Sequence, residues 1–332
     1  MDIIVPGHGS GGKLMNDLIN NLIKSILGND TIQLDDAACL TLPSNTIAFT
    51  TDSYTITPIE FSGGTIGSLA VNGTVNDLAV MGATPKYISC ALILEEGLEI
   101  ETLKRILISM KEAAVKAGVA IVTGDTKVVP KGKGDCIYIN TAGIGVFINP
   151  PQRREITPGD TIIINGSIGD HGTTIMALRN NLTFSKGLSS DCAALNHLIE
   201  DVICHYPEAI KFMRDATRGG VASVLNEITK NAPFGAKLIE DNLPVKDEVK
   251  GVADILGIDP LYIANEGKVV MIVDSTYAQD IVAIMKKHPE GKDAAIIGQI
   301  TTEFPGKAYL QTKIGGNRIL PVLIEEQLPR IC

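Results

Sequence analysis

Three apolar runs decide the fold: KYISCALILEE (86–96), VAIVTGDTKVV (119–129) and CIYINTAGIGVFI (136–148). Each is short and apolar, and each predicts a strand. Residues 99–117, between the first two, have the spacing of an amphipathic helix. Strand, helix, strand, strand is an α/β pattern. Toward the N-terminus, TIAFTTD (46–52) predicts another strand. GTIGSLAVNGTVNDLAVMG (64–82) predicts a helix of small residues, which implies close backbone packing. LMNDLINNLIKSIL (14–27) puts Leu14, Leu18, Leu22 and Ile26 on one helical face, with Gly28 as its stop.

Toward the C-terminus, NPPQRREITPGD (149–160) is rich in Pro and charge and reads as a linker. Beyond it strands and helices alternate again: DTIIING (160–166), a helix near 191–204, GKVVMIVD (267–274), a helix over 276–288 and AAIIGQITTE (294–303). KAYLQTKI and NRILPVLI flank Gly315 and Gly316, a hairpin signature. The tail EEQLPRIC (325–332) has little periodicity. Fully extended, such a tail spans at most about 26–29 Å, enough to cross a domain.

A length of 332 residues, 45% of them hydrophobic, suits two domains. The 29 Lys and Arg against 38 Asp and Glu leave a net charge of −9 with no basic block, which argues against a nucleic-acid or anionic-membrane partner. No apolar run approaches the ~18 residues that span a bilayer, and MDIIVPGHGSGGK lacks the order of a secretion signal. A cytoplasmic protein with reduced cysteines is the expectation. Cys39, Cys90, Cys136, Cys192 and Cys204 are isolated and read as small hydrophobes. Cys332 is the final residue, and it reads either as an accident of position or as a thiol on a mobile arm.

GHGSGGK (7–13) fits GxxxxGK, but Leu14 stands where a phosphate loop places Ser or Thr. Its glycines still allow backbone N–H groups to approach a phosphate, and Lys13 adds positive charge. Carboxylates stand at the ends of apolar runs: Asp35 and Asp36 in LDDAA, Asp52 in FTTDS, Asp77 in TVNDLAVMGATP, Asp125 in VTGDTK and Asp215 in RDATRGGV. Singly, each can be a turn cap. Converging in one cleft, they call for a hard cation such as magnesium. Asp215 precedes Thr217, Arg218, Gly219, Gly220 and then a helix, an arrangement suited to an anion. Lys127 and Glu266, the latter in ANEGK, are candidate bases if desolvated and ordinary solvated charges otherwise.

In this order, GHGSGGK, LDDAA, FTTDS, TVNDLAVMGATP, VTGDTKVV, DATRGGV and ANEG resemble the superfamily of aminoimidazole ribonucleotide synthetase and selenophosphate synthetase, over essentially the whole chain. With the terminal PRIC, the resemblance narrows to its branch in nickel–iron hydrogenase maturation. It implies a two-domain α/β (α+β) fold whose N-terminal domain pairs strands across a homodimer to form a β-barrel, with a mobile C-terminal tail. The segments would be an N-terminal Gly-rich loop and helix (1–34), an ATP-binding domain (35–149), a second α/β domain (150–324) and the tail (325–332). Asp36, Asp52, Asp77 and Asp215 would bind magnesium. Gly9, Gly11, Gly12, Lys13, Asn76, Gly124, Asp125 and Arg218 would lie at the nucleotide. Ser10 stands about where selenophosphate synthetases carry a reactive Cys or selenocysteine, which argues against selenium chemistry.

The resemblance further implies that a carbamoyltransferase, HypF, loads a carbamoyl group onto Cys332. The chain then dehydrates it with ATP and Mg2+ to a thiocyanate, with Glu266 and Lys127 beside the inserted tail, and the iron-carrying HypC–HypD complex accepts the cyanide. Two rival readings remain. One is a synthetase or kinase acting on a free small molecule, which leaves Cys332 without a role. The other is a non-enzymatic thiol carrier with ATP as a switch, which has no need to gather several like charges.

Overall fold

The computed structural model describes residues 3–9, 13–27, 40–43, 46–147, 154–182, 187–323 and 330–332. The chain begins with a turn over Pro6–Gly9, then α1 (Lys13–Leu18), a wider turn over Ile19–Ile23 and α2 (Lys24–Leu27). Leu18 of this amphipathic segment is buried, whereas Leu14 is exposed.

β1 (Ile47–Tyr54) leads through a short ribbon, β2 (Glu60–Phe61) and β3 (Gly64–Thr65), into α3 (Ile66–Val80). β4 (Thr84–Glu95), α4 (Ile100–Ala117) and β5 (Ala120–Val129) form a strand–helix–strand unit with parallel strands, and β6 (Ile137–Val146) follows. The sheet order is β1-β6-β4-β5, so β1 and β5 are its two edges. α4 turns Leu103, Ile106, Leu107, Met110 and Ala114 inward and stops at Gly118, whose φ of 70° is left-handed.

The small residues of α3 serve the packing the sequence implies. Thr65 caps the helix, its hydroxyl accepting from Gly67 N at 3.1 Å and Ser68 N at 3.3 Å. All of α3 except Ser68 and Asp77 is buried, because it lies between the first sheet, α4 and elements of the second half. A Cβ at Gly67 would collide with the Ile106 carbonyl, and one at Gly73 with the Tyr54 hydroxyl.

The second half holds β7 (Thr161–Ile164), α5 (Asp170–Arg179), α6 (Asn196–His205), β8 (Ile210–Asp215), α7 (Gly220–Thr229), β9 (Gly235–Ile239), α8 (Asp247–Leu256), β10 (Val269–Val273), α9 (Ala278–Met285), β11 (Ala295–Thr301), β12 (Ala308–Gln311) and β13 (Asn317–Leu320). Its strands run in the order β13-β12-β9-β11-β7-β10-β8, all antiparallel except β12 on β9. β10 is buried on both faces: Val270 and Ile272 enter one core, Val269, Met271 and Val273 the other. The Gly315 hairpin joins β12 and β13 as the sequence predicts. The helix expected over 191–204 instead starts at Asn196, since Asp191–Ala193 bonds to another turn. Among the described residues no helix is long and apolar enough to cross a membrane. The molecule is thus a two-domain mixed α/β protein.

Candidate active site

β1 alternates, with Ala48, Thr50, Asp52 and Tyr54 turned toward α3 and Ile47, Phe49, Thr51 and Ser53 toward solvent. This puts Asp52 on the side of Asp77, the polar position of α3. Thr50 Oγ1 donates to Asp77 Oδ2 at 2.8 Å, and Ser53 N donates to Asp52 Oδ1 at 2.8 Å. Asp215 ends β8, against which α3 packs. Burial, and then the charges of Asp77 and Asp52, push the Asp215 carboxyl up to about 6. Burial likewise raises Asp77, with Asp52 adding to the effect and the Thr50 hydroxyl and the Arg214 and Arg218 guanidiniums opposing it.

Glu266 lies beside this acidic group. It is buried, and its Oε1 has no hydrogen-bond partner. Burial pushes its carboxyl well above the ordinary range, helped by the charges of Asp191, Asp215 and Asp52 and opposed by Arg218. Its backbone is fixed from below. Asp191 accepts from Glu266 N at 3.3 Å, Gly267 N at 3.1 Å and Lys268 Nζ at 2.8 Å, in a buried ion pair. Burial alone would raise Asp191, but Lys268 holds it low. Gly267 is required at that turn, because a Cβ would collide with the Asp191 carbonyl. Asn265 ties the same turn to the DATRGG loop, its amide donating to the Ala216 carbonyl at 2.9 Å.

The end of the chain is docked just beyond β1, the strand that carries Asp52. Thr55 N, next to Tyr54, donates to the Cys332 backbone oxygen at 3.0 Å, and Ile331 is buried in the first core. The Ile331 carbonyl accepts from His171 Nε2 at 2.7 Å. The sequence left open whether the tail rests inside or outside the ATP cleft; the structure packs its described residues, 330–332, against the first core.

The remaining expected residues fall elsewhere. Asp125 and Lys127 sit on β5 with their side chains on the sheet face away from α3, where Lys127 Nζ contacts the Asp125 carboxylate at 2.7 and 2.8 Å. The Lys127 ammonium holds Asp125 below the usual carboxylate range. The registers place Asp125 opposite Ala91, Ala91 opposite Asn140 and Asn140 opposite Ser53, so Asp125 and the Asp52 end of β1 are three strands, or ~14 Å, apart. The Pro6–Gly9 turn packs beside β5, and exposed Lys13 opens α1. α1, α2, β4 and β5 line a cavity of about 230 Å³ there. Gly124 is required by packing, since a Cβ would collide with the Cys90 carbonyl. Asn76 is buried and bonds to backbone, donating to Ala193 O at 3.0 Å and accepting from Leu195 N at 2.7 Å. Asp36, Gly11 and Gly12 lie outside the described residues.

The acidic group suits a divalent cation. Among the described residues no three His, Cys, Asp or Glu side chains could hold a metal by themselves. Magnesium, however, takes one or two carboxylates and fills its shell with phosphate oxygens and water. Asp77 and Asp215, both raised by burial and by neighbouring carboxylates, are all-oxygen donors that fit such an ion. Reasoning from the sequence missed Asp191, His171 and Ser190. Their only signal is polar residues within GDHG and SSDC, and their role depends on partners far along the chain.

Two family models match, the N-terminal domain of AIR synthase related proteins over residues 34–147 and the C-terminal domain over 157–311. Carbamoyl dehydratase HypE of Rhodobacter capsulatus is 49% identical over 98% of this chain and 97% of its own length. A crystal structure of the hydrogenase maturation protein HypE in complex with ATP superposes with a TM-score of 0.93 at 44% identity, covering 99% of each chain. A chain of a HypE–HypF complex matches at a TM-score of 0.79 and 45% identity, over 94% of this chain and all of that one.

Proposed function

The chain belongs to the HypE family of carbamoyl dehydratases, within the AIR synthase related proteins, and from that premise we propose that it dehydrates a carbamoyl group carried on its own Cys332. The product is a thiocyanate, the source of a cyanide ligand for the iron of a nickel–iron hydrogenase. Two observations support the reading: the last residues of the chain pack on Thr55, just beyond the Asp52 strand, and on His171, and the buried carboxylate of Glu266, beside Asp52 and Asp215, has an oxygen without a partner.

Converting S–C(=O)–NH2 to S–C≡N removes the oxygen and two N–H protons. MgATP, when bound, supplies the phosphoryl group that turns the carbamoyl oxygen into a leaving group. Asp52, Asp77 and Asp215, with Asp36, would hold the magnesium. Arg218 would face the phosphates beside the carboxylates of its own chain, and Lys13 and the glycines at 9, 11 and 12, with Gly124 and Asp125 near the nucleotide, would do so from the β5 edge of a second copy; Asn76 would act through the backbone it clamps. Glu266 takes a proton from the carboxamide nitrogen, its raised pKa making it a base strong enough for the task. Lys127, reaching the site from the β5 edge of a second copy, is a second base if neutral, and otherwise orients the carboxamide. Cys332 carries the group throughout, so the tail (325–332) is a substrate arm attached to the units 35–149 and 150–324.

The partners follow from the same reading. HypF loads the thiol, as the complex formed by a relative suggests, and a HypC–HypD complex takes the cyanide. The chain works as a cytoplasmic homodimer. The outer face of the first sheet exposes Ile47, Phe49 and Ile93, at 44, 67 and 40%, and among the described residues neither edge has a neighbouring strand. Closing a barrel with a second copy covers that face and brings β5 of one copy alongside β1 of the other.

Intact mass tests the proposal. Protein loaded by a HypF-type transferase with carbamoyl phosphate and ATP, then repurified, should carry one carbamoyl group and lose the mass of one water on addition of MgATP. Cys332→Ala should show neither change. An adduct that never loses water would leave a carrier, and an unmodified Cys332 would point to a small-molecule synthetase.

A further inference from the structure

The final residues are gripped at points other than the thiol. The Arg330 guanidinium donates to the Thr55 carbonyl at 2.8 Å, pairs with Asp135 at 2.5 Å and lies 5.9 Å from the Tyr138 ring centre. The Arg330 carbonyl accepts from Arg179 Nη2 at 2.5 Å. One residue on, the Ile331 carbonyl meets His171 Nε2. A carbonyl only accepts, so Nε2 carries the proton and Nδ1 is the acceptor for Ser190 Oγ at 2.8 Å. Ser190 Oγ itself accepts from Cys192 N at 3.1 Å, and the edge of Phe61 packs on the imidazole at 5.5 Å. Ring position and tautomer are therefore both set by the protein, and a buried ring with those partners has no other way to face the tail.

The same short segment serves the base. Ser190 sets the tautomer of His171, and its neighbour Asp191 holds the backbone of Glu266 and Gly267. The arm and the base are thus referenced to one turn.

We propose that His171 and Asp135 are positioning residues that hold the C-terminal arm in the site, and that the strength of their grip divides the arm's time between dehydration inside and loading outside. The inference rests on the reading of Cys332 as the carrier of the carbamoyl group. An arm exchanging between two places can be loaded only from the outer one and dehydrated only in the inner one. Weakening the grip must therefore speed loading and slow dehydration. General damage to the fold slows both.

The grip can be read without any enzyme reaction. In protein free of nucleotide and partner, the rate at which iodoacetamide alkylates Cys332 is followed by peptide mass, with exposed Cys204 as internal reference. Asp135→Asn, at the surface, should raise that rate about twofold to threefold, the worth of an exposed ion pair, and His171→Gln, in the interior, about tenfold, the worth of one buried hydrogen bond. Asp135→Glu should return most of the wild-type value. Melting curves identify any variant that fails to fold, and Asp135→Asn remains informative if His171→Gln does. In a second arm, loading by the transferase should quicken and dehydration of the loaded protein slow by similar factors. Alkylation unchanged in folded variants would overturn the proposal, and so would loading and dehydration slowed together. Faster alkylation with a Cys332 that is never carbamoylated would uphold the grip and sink the function proposed above.

Discussion

On β1, Asp52 faces inward beneath α3 in the company of Asp77, Asp215 and Glu266. On β5, at the opposite edge of the same sheet, Asp125 faces outward and leans on Lys127. The residue type is the same and the strand positions are level, yet the surroundings act in opposite directions. Desolvation and like charges raise the carboxyls of Asp77, Asp215 and Glu266, while an exposed ammonium lowers Asp125. The inner group is assembled by one chain and strained by its own charge, so it suits a cation and a base. The outer pair is relaxed in the single chain and lies on a face that the proposed second copy would cover.

The largest expected effect belongs to Glu266. Glu266→Gln should slow single-turnover water loss by about 10²–10⁴-fold while leaving loading of Cys332 intact, measured by mass on the repurified adduct. Dehydration in the wild type should fall as pH drops through the raised Glu266 pKa, because only the carboxylate accepts a proton. Asp191→Asn removes a negative neighbour that helps to raise that pKa. Its acid limb should therefore move to lower pH, and an unmoved limb would assign the titration to another group.

Asp215→Asn should cut magnesium-dependent turnover and yet stabilise the fold. The folded pKa of about 6 lies above the 3.8 of an ordinary aspartate. The carboxyl thus favours folding below about pH 4, and that contribution is lost as pH rises through about 6. The interval corresponds to ~3 kcal/mol, so denaturant titration in EDTA at pH 8 should find the variant more stable by up to that amount. At pH 4 the difference should close.

A mixed preparation sharpens the comparison of edges. If β5 of one copy completes the β1 side of its partner, Lys127→Ala and Glu266→Gln protomers, each impaired alone, should regain roughly a quarter of wild-type activity after random exchange, since half the dimers then hold one intact site. No recovery would mean that both residues act within one chain. The smallest effect is at Asp125. Asp125→Asn breaks an exposed ion pair and should alter stability by under about 0.5 kcal/mol at any pH near neutral, in contrast to the same substitution at Asp215.

The legibility of the molecule follows the same division between local and distant causes. β4, α4 and β5 were readable because hydrophobic period is a local signal, and the structure ends α4 at Gly118 as the period does. The carboxylates at Asp52, Asp77 and Asp215 were readable as polar residues ending apolar runs, and the structure gathers them. Spacing alone also puts Asp125 and Lys127 on one face of a strand, which is where they meet. Asp191 was hidden for the opposite reason. It sits in what reads as the first turn of a helix, and only the return of Glu266–Lys268 from far along the chain pulls it into a loop. His171 was hidden likewise, its partners being Ser190 and a carbonyl next to the chain's last residue. Asn76 reads as a ligand and serves as a clamp on the backbone of Ala193 and Leu195.

α3 carries Asp77 toward the first sheet and, one residue earlier, Asn76 toward the loop that supports Glu266. A single buried rod therefore sets the spacing between cation carboxylates and base, and sliding one half of the molecule over the other would break its buried hydrogen bonds together. Many phosphoryl-transfer proteins close a cleft around a small substrate. In the reaction proposed here the substrate is the part that travels, so the catalytic cycle should be paced by the comings and goings of a short peptide tethered to its own enzyme.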